Sequence, residues 1–178
     1  MEHIFDEIQA TLNCGIWYPA LASALLIPDA CGTIEYALSA TKPSARYISW
    51  YDKWVEPRFH CLITRFDGNI VYRVRNSMMH EVSGFTKGVD GFDRIIFRPD
   101  DKGLSLNFYL SVNPAGSQET AFLVSIEQFI DALKRGTDEW LLEVRADGDS
   151  RRRDAMDRLL QLRPGGCGSH VTGIPVVA

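Results

Sequence analysis

Arg73, Arg75, Asn76, Ser77 and His80 fall within one short stretch, YRVRNSMMHE at 72–81. These are residue types that can handle a phosphate. A guanidinium offers phosphate oxygens a fixed positive fork, and an imidazole moves protons near neutral pH. A carboxamide donates to an oxygen or holds an imidazole in one tautomer. On a helix, at about 100° per residue, Asn76 and His80 lie one turn apart on one side. Arg73 and Ser77 join that side, and Arg75 falls on the other flank of the apolar stripe. The same spacing also describes an ordinary solvated helix face on which these groups do no chemistry.

Other chemistry-bearing residues have competing readings. Asp29, Glu35 and Asp52 lie in or beside apolar segments, and each is either a partner for Arg73 or Arg75 or a solvated carboxylate. Trp17, Trp50, Trp54 and Trp140 could stack on bases, but their helical spacing is that of core residues. Cys14, Cys31 and Cys61 read as small buried hydrophobes, with no histidine or acid close in sequence to activate a thiol. GVDGFD at 88–93 lacks the ligand spacing and late glutamate of a calcium loop. Arg151, Arg152 and Arg153 suit either a phosphate backbone or a charged helix start. No cluster has metal-ligand spacing, so neither a metal nor a cofactor is expected.

The elements that must position these residues are mostly helical. EHIFDEIQATL sets Ile4, Ile8 and Leu12 four apart, an amphipathic helix. The almost wholly apolar run from Trp17 predicts a core helix that breaks or restarts at Pro28. KPSARYISWYDKWV starts on Pro43 and Ser44 and repeats Tyr47, Ile48, Tyr51, Trp54 and Val55 at helical spacing. The fourth helix, which carries the polar cluster, starts after Asp67, buries Ile70, Val71, Val74 and Met78, and stops at Gly84. The period then alternates over FDRIIFRPDDKGLSLNFYLSVN, which reads as a β-hairpin at about 92–112 with its turn at 99–103. SIEQFIDALKRGTDEWLLEV returns to a long helix, with Ser125 and Gln128 as a capping box and Ile126, Ile130, Leu133, Trp140 and Val144 on one face. A short helix is expected at 150–161, followed by a Gly-rich tail that is a candidate for disorder. The expected fold is mainly α: a bundle of four to five helices over residues 1–145 with an inserted β-hairpin before the last long helix, and residues 146–178 outside it.

Bulk properties narrow the function. The chain has 178 residues, 46% apolar and 24% charged, with a net charge of −4. That balance suits a globular protein and excludes a general basic nucleic-acid coat, so any nucleic-acid role needs a local site. The longest apolar run is closed by prolines and is too short for a membrane span. The acidic, amphipathic start is unlike a secretory signal. Cys14, Cys31, Cys61 and Cys167 form no CxxC pair, which fits a reducing cytoplasm.

RNSMMH resembles the R-polar-x-x-x-H form of the Rx4-6H motif of HEPN domains, with Arg75, Asn76 and His80 in the motif positions and Arg73 at the longer allowed spacing. The order of the segments YPALASALLIPDACGTIE, ARYISWYDKWV and YRVRNSMMHE is similar to that in a group of uncharacterised bacterial proteins of this type. The resemblance covers roughly residues 15–145. It implies a metal-independent ribonuclease chemistry, with attack of the RNA 2′-OH on the adjacent phosphate. Arg75 would stabilise phosphoryl charge, His80 would act as acid or base, and Asn76 would orient them, with Arg73 and Ser77 in support. It also implies a homodimer whose two motif helices share one cleft, in a toxin–antitoxin or phage-defence setting with RNA or an antitoxin as partner. The alternative is a non-catalytic module of the same fold that binds a protein partner or a nucleotide; the acidic balance and the inserted hairpin favour it.

Overall fold

The computed structural model describes residues 2–36, 41–59, 65–80, 85–89, 92–99, 109–112, 119–148 and 150–157, and the pairs 162–163, 166–167, 171–172 and 176–177. It is mainly helical with a small mixed sheet. Helix α1 (Glu2–Asn13) buries Phe5, Ile8 and Leu12. Gly15, at φ 72°, turns the chain into α2 (Trp17–Glu35).

Helix α2 runs through Pro28 without the break expected there. Proline removes an N–H and crowds the carbonyls of the preceding turn. Here the hydroxyl of Tyr47, fully buried on α3 (Pro43–Trp54), donates to the Leu25 carbonyl at 3.0 Å. An outside donor therefore serves the disturbed turn, and Pro28 is itself buried.

Helix α3 is the hub. Three helices meet its backbone through glycine. A Cβ on Gly32 of α2 would stand 2.8 Å from the Arg46 carbonyl oxygen. One on Gly68, which opens α4 (Gly68–His80), would stand 2.7 Å from the Ile48 oxygen. One on Gly136 of α5 (Ile126–Ala146) would fall onto the Trp54 oxygen. Around this axis Trp50 and Trp140 pack edge to face, 5.9 Å between centroids. Glu35, with its side chain 6% exposed, accepts the Trp140 indole N–H at 2.9 Å and lies 3.6 Å from Lys53 and 3.5 Å from Arg152.

Strands β1 (Phe85–Val89), β2 (Phe92–Arg98), β3 (Tyr109–Val112) and β4 (Glu119–Ser125) form one sheet in the order β1-β2-β4-β3. This corrects the expected hairpin. β2 and β3 do not pair; both flank β4, β2 in parallel (Ile95 opposite Phe122) and β3 antiparallel (Tyr109 opposite Phe122). Alternation identifies a strand but not its neighbour, and β4, between the expected hairpin and α5, is a strand that the sequence reading misses. The residues of the expected turn from 100 to 103 lie outside those described. The inner face of the sheet meets the helices through an aromatic cluster in which Phe66 lies 5.4 Å from Phe122 and 5.8 Å from Phe129. Ser125 caps α5, its hydroxyl accepting the Gln128 N–H at 3.1 Å.

The short helix α6 (Ser150–Asp157) belongs to the body, with Ala155 and Met156 packed on the core and Arg152 on Glu35. The tail also contains order. β5 (Leu162–Arg163) pairs with β8 (Val176–Val177), and β6 (Gly166–Cys167) with β7 (Val171–Thr172). Among the described residues no helix is long and apolar enough to cross a membrane.

Candidate functional site along the fourth helix

Two carboxylates fix the start of α4. Asp67 accepts the Ile70 N–H at 3.0 Å as an N-cap, and Asp52 of α3 accepts the Gly68 N–H at 2.7 Å. Burial holds the Asp52 carboxyl above the usual aspartate range; the Gly68 N–H opposes this and Asp67 adds to it. Ile70, Val71, Val74 and Met78 are buried, the stripe read from the sequence.

Arg75 faces α2. Its Nε donates to Asp29 Oδ2 at 2.9 Å, its Nη2 lies 2.8 Å from the same oxygen, and its Nη1 donates to Asn76 Oδ1 at 3.0 Å. Of the three carboxylates considered as partners, Asp29 is therefore the one that holds this arginine. A guanidinium has five N–H donors, and these contacts engage three of its nitrogens, so it is positioned and partly neutralised. Arg73 is exposed, while Asn76 and Ser77 are half-buried. At about 100° per residue, Arg73 and His80 differ by about 20° around the helix, and Arg75 and His80 by about 140°. His80 is the last residue of α4; its side chain lies outside those described, as does the expected continuation to Gly84. Arg75 and Asn76 are thus brought together, and Arg73 shares the helix face of His80.

Searches against protein families, curated proteins and solved structures return no match.

Two neighbours of α4 escaped the sequence reading. Tyr18, at the start of α2, donates its hydroxyl to the Met78 carbonyl at 3.0 Å. That carbonyl lies in the last described turn of α4. The Tyr47 ring meets Tyr72 edge-on at 5.2 Å. Burial pushes the Tyr47 hydroxyl well up, with Asp29 adding to the effect. A tyrosine after tryptophan in an apolar run gives no signal that it will reach another helix.

The remaining candidates separate cleanly. Trp50, Trp54 and Trp140 are core, whereas Trp17 is 39% exposed. Cys31 is buried and its thiol is pushed up by that burial, but Cys14 is exposed, against expectation, because it follows the last turn of α1. Cys61 lies outside the described residues. Asp93 is a strand tie: Oδ2 accepts the Thr120 N–H at 2.8 Å and the Thr120 hydroxyl at 3.0 Å, which holds the carboxyl below its usual range. Arg152 is bound to Glu35 and, at 3.2 Å, to Asp147.

Proposed function

We propose that this chain is an RNA-directed protein of HEPN-like type, whose α4 edge binds a phosphodiester and cleaves it without metal. The arginine–asparagine pair on α4 carries the reading: Arg75 is held by Asp29 and Asn76 on the helix that ends at His80. An oriented guanidinium at a phosphate lowers the energy of developing oxyanion charge. In the reaction the 2′-hydroxyl loses its proton to one imidazole and its oxygen bonds to phosphorus. The bond from phosphorus to the 5′-oxygen breaks, and that oxygen takes a proton from a second imidazole. One chain supplies one His80, so the reading calls for a homodimer with the two α4 helices facing each other. A toxin–antitoxin or phage-defence setting fits such an activity. The test is cleavage of single-stranded RNA in EDTA by wild type, Arg73→Ala, Arg75→Ala and His80→Ala. Activity lost in His80→Ala and in an arginine variant, with folding intact, supports the reading; equal cleavage by wild type and His80→Ala ends it.

One observation favours a second reading, a non-catalytic module binding a protein or nucleotide. The Arg75 charge is already met by Asp29, which makes it a helix-to-helix clip. A stoichiometric partner recovered together with no cleavage would favour this reading.

A further inference from the structure

The sequence of α6, SRRRDAMD, gives the core only Ala155 and Met156, both partly buried. A helix this short does not stand alone in water, so α6 keeps its shape by docking. Its ion pair to α2 is made by Arg152, whose side chain is 22% exposed and whose Nη2 lies 3.5 Å from Glu35 Oε2. The Glu35 side chain is 6% exposed, and the same oxygen accepts the Trp140 indole N–H. A carboxylate so buried is costly to leave without a cation.

Both cations at Glu35 are shared with a second, half-exposed carboxylate. Lys53 lies 3.6 Å from Glu35 and 3.4 Å from Glu143. Arg152 lies 3.5 Å from Glu35 and 3.2 Å from Asp147, the C-cap of α5. Asp147 stands at the joint between α5 and α6, so its pair with Arg152 does not tie α6 to α2. Lifting α6 therefore strands no buried charge: Glu35 retains Lys53, and Arg152 retains Asp147. Gly148, in the same joint, has open space around it.

We propose that α6 is a charge-held strap across the Glu35 end of the seam between α2 and α5, released as a unit by rising ionic strength while the helical body stays folded. Lys53 is the spare cation that makes release cheap. Salt screens the partly exposed guanidinium, and two small apolar contacts do not hold the helix without it. Release opens Glu35 to solvent. This device is independent of the RNA reading above.

The test is amide hydrogen exchange of the full chain, read by mass spectrometry at about 0.05 M and about 0.5 M sodium chloride, on either side of a screening length of about 10 Å. Wild-type α6 should exchange faster than α3 and speed up on the order of three-fold with salt, with α3 unchanged. Arg152→Met should speed α6 exchange on the order of ten-fold. Glu35→Gln, which keeps an acceptor for the Trp140 N–H, should also speed it and remove most of the salt effect. Lys53→Met should slow α6 exchange on the order of ten-fold, because opening then leaves Glu35 without a cation. A lysine that only buttressed the fold would loosen α6 on removal. Unchanged α3 exchange confirms that each variant folds. Exchange of α6 at the rate of α3 overturns the strap, as does an α6 rate that ignores salt and Arg152→Met. Unchanged or faster α6 exchange in Lys53→Met also overturns it.

Discussion

Arg75 and Asp29 are 46 residues apart in sequence, and their pairing sets the register of α4 on α2. Their side chains are 24% and 29% exposed. That lies between a solvated pair, worth about 0–1 kcal/mol, and a buried pair whose breakage costs about 3–5 kcal/mol. Either single replacement, Asp29→Ala or Arg75→Ala, should therefore cost about 1–2 kcal/mol. For a chain of this length that is a fall of about 3–6 °C in Tm. Asp29→Ala leaves a half-buried guanidinium with only Asn76 opposite. Arg75→Ala leaves a carboxylate near the Tyr47 hydroxyl. The double replacement removes both penalties and should cost less than the sum of the singles by about 1 kcal/mol. Urea denaturation of the four proteins measures this cycle. Losses that add to within about 0.3 kcal/mol would mean the two groups do not interact in solution, and the clip between α2 and α4 would be refuted.

Gly136→Ala should destabilise by about 3 kcal/mol, because the new Cβ lands on a backbone oxygen that cannot move without shifting α3; thermal melting within error of wild type would refute the close crossing. Ser125→Ala should cost about 1 kcal/mol through loss of the α5 cap, read from urea midpoints. Asp52→Asn keeps an acceptor for the Gly68 N–H but removes a titration. Because the folded carboxyl sits above its unfolded value, the stability it contributes is full below the unfolded value and is lost as pH rises through the folded one. The advantage of wild type over Asp52→Asn should thus be greatest in acid and shrink just above the ordinary aspartate range; a difference independent of pH would refute this.

The parts of the fold governed by local repetition were legible in the sequence. The stripe of Ile70, Val71, Val74 and Met78 and the cap at Ser125 follow from periods and side-chain reach within one turn. Strand partners were not legible. β2 and β3 alternate correctly, yet both join β4, whose Phe122 and Val124 are wholly buried and whose parallel neighbour is announced by no turn. Pro28 carries a strong local stop signal, and a hydroxyl from another helix serves the turn it disturbs. At the candidate site, the residue types and their helix could be read, but the pairing that holds Arg75 could not. Asp29, Glu35 and Asp52 looked equivalent along the chain. Three-dimensional packing sends them to an arginine, an indole and a helix start. Trp17 and Trp50 likewise differ only in what the fold places over them.

The glycine crossings on α3 bear on how the molecule can open. A helix packed through side chains can slide or rotate by exchanging rotamers, but α2, α4 and α5 touch α3 backbone to backbone at Gly32, Gly68 and Gly136. No layer of side chains remains at those points to absorb a shift. Local opening is cheap where few buried contacts are broken and costly where several elements must part together. The amides of α3 should therefore exchange with solvent only when the helical body unfolds as a whole, at the slowest rate in the chain. α4 cannot change its angle to α2 without dragging that axis, so an adjustment of the polar edge of α4 on binding has to come from its side chains.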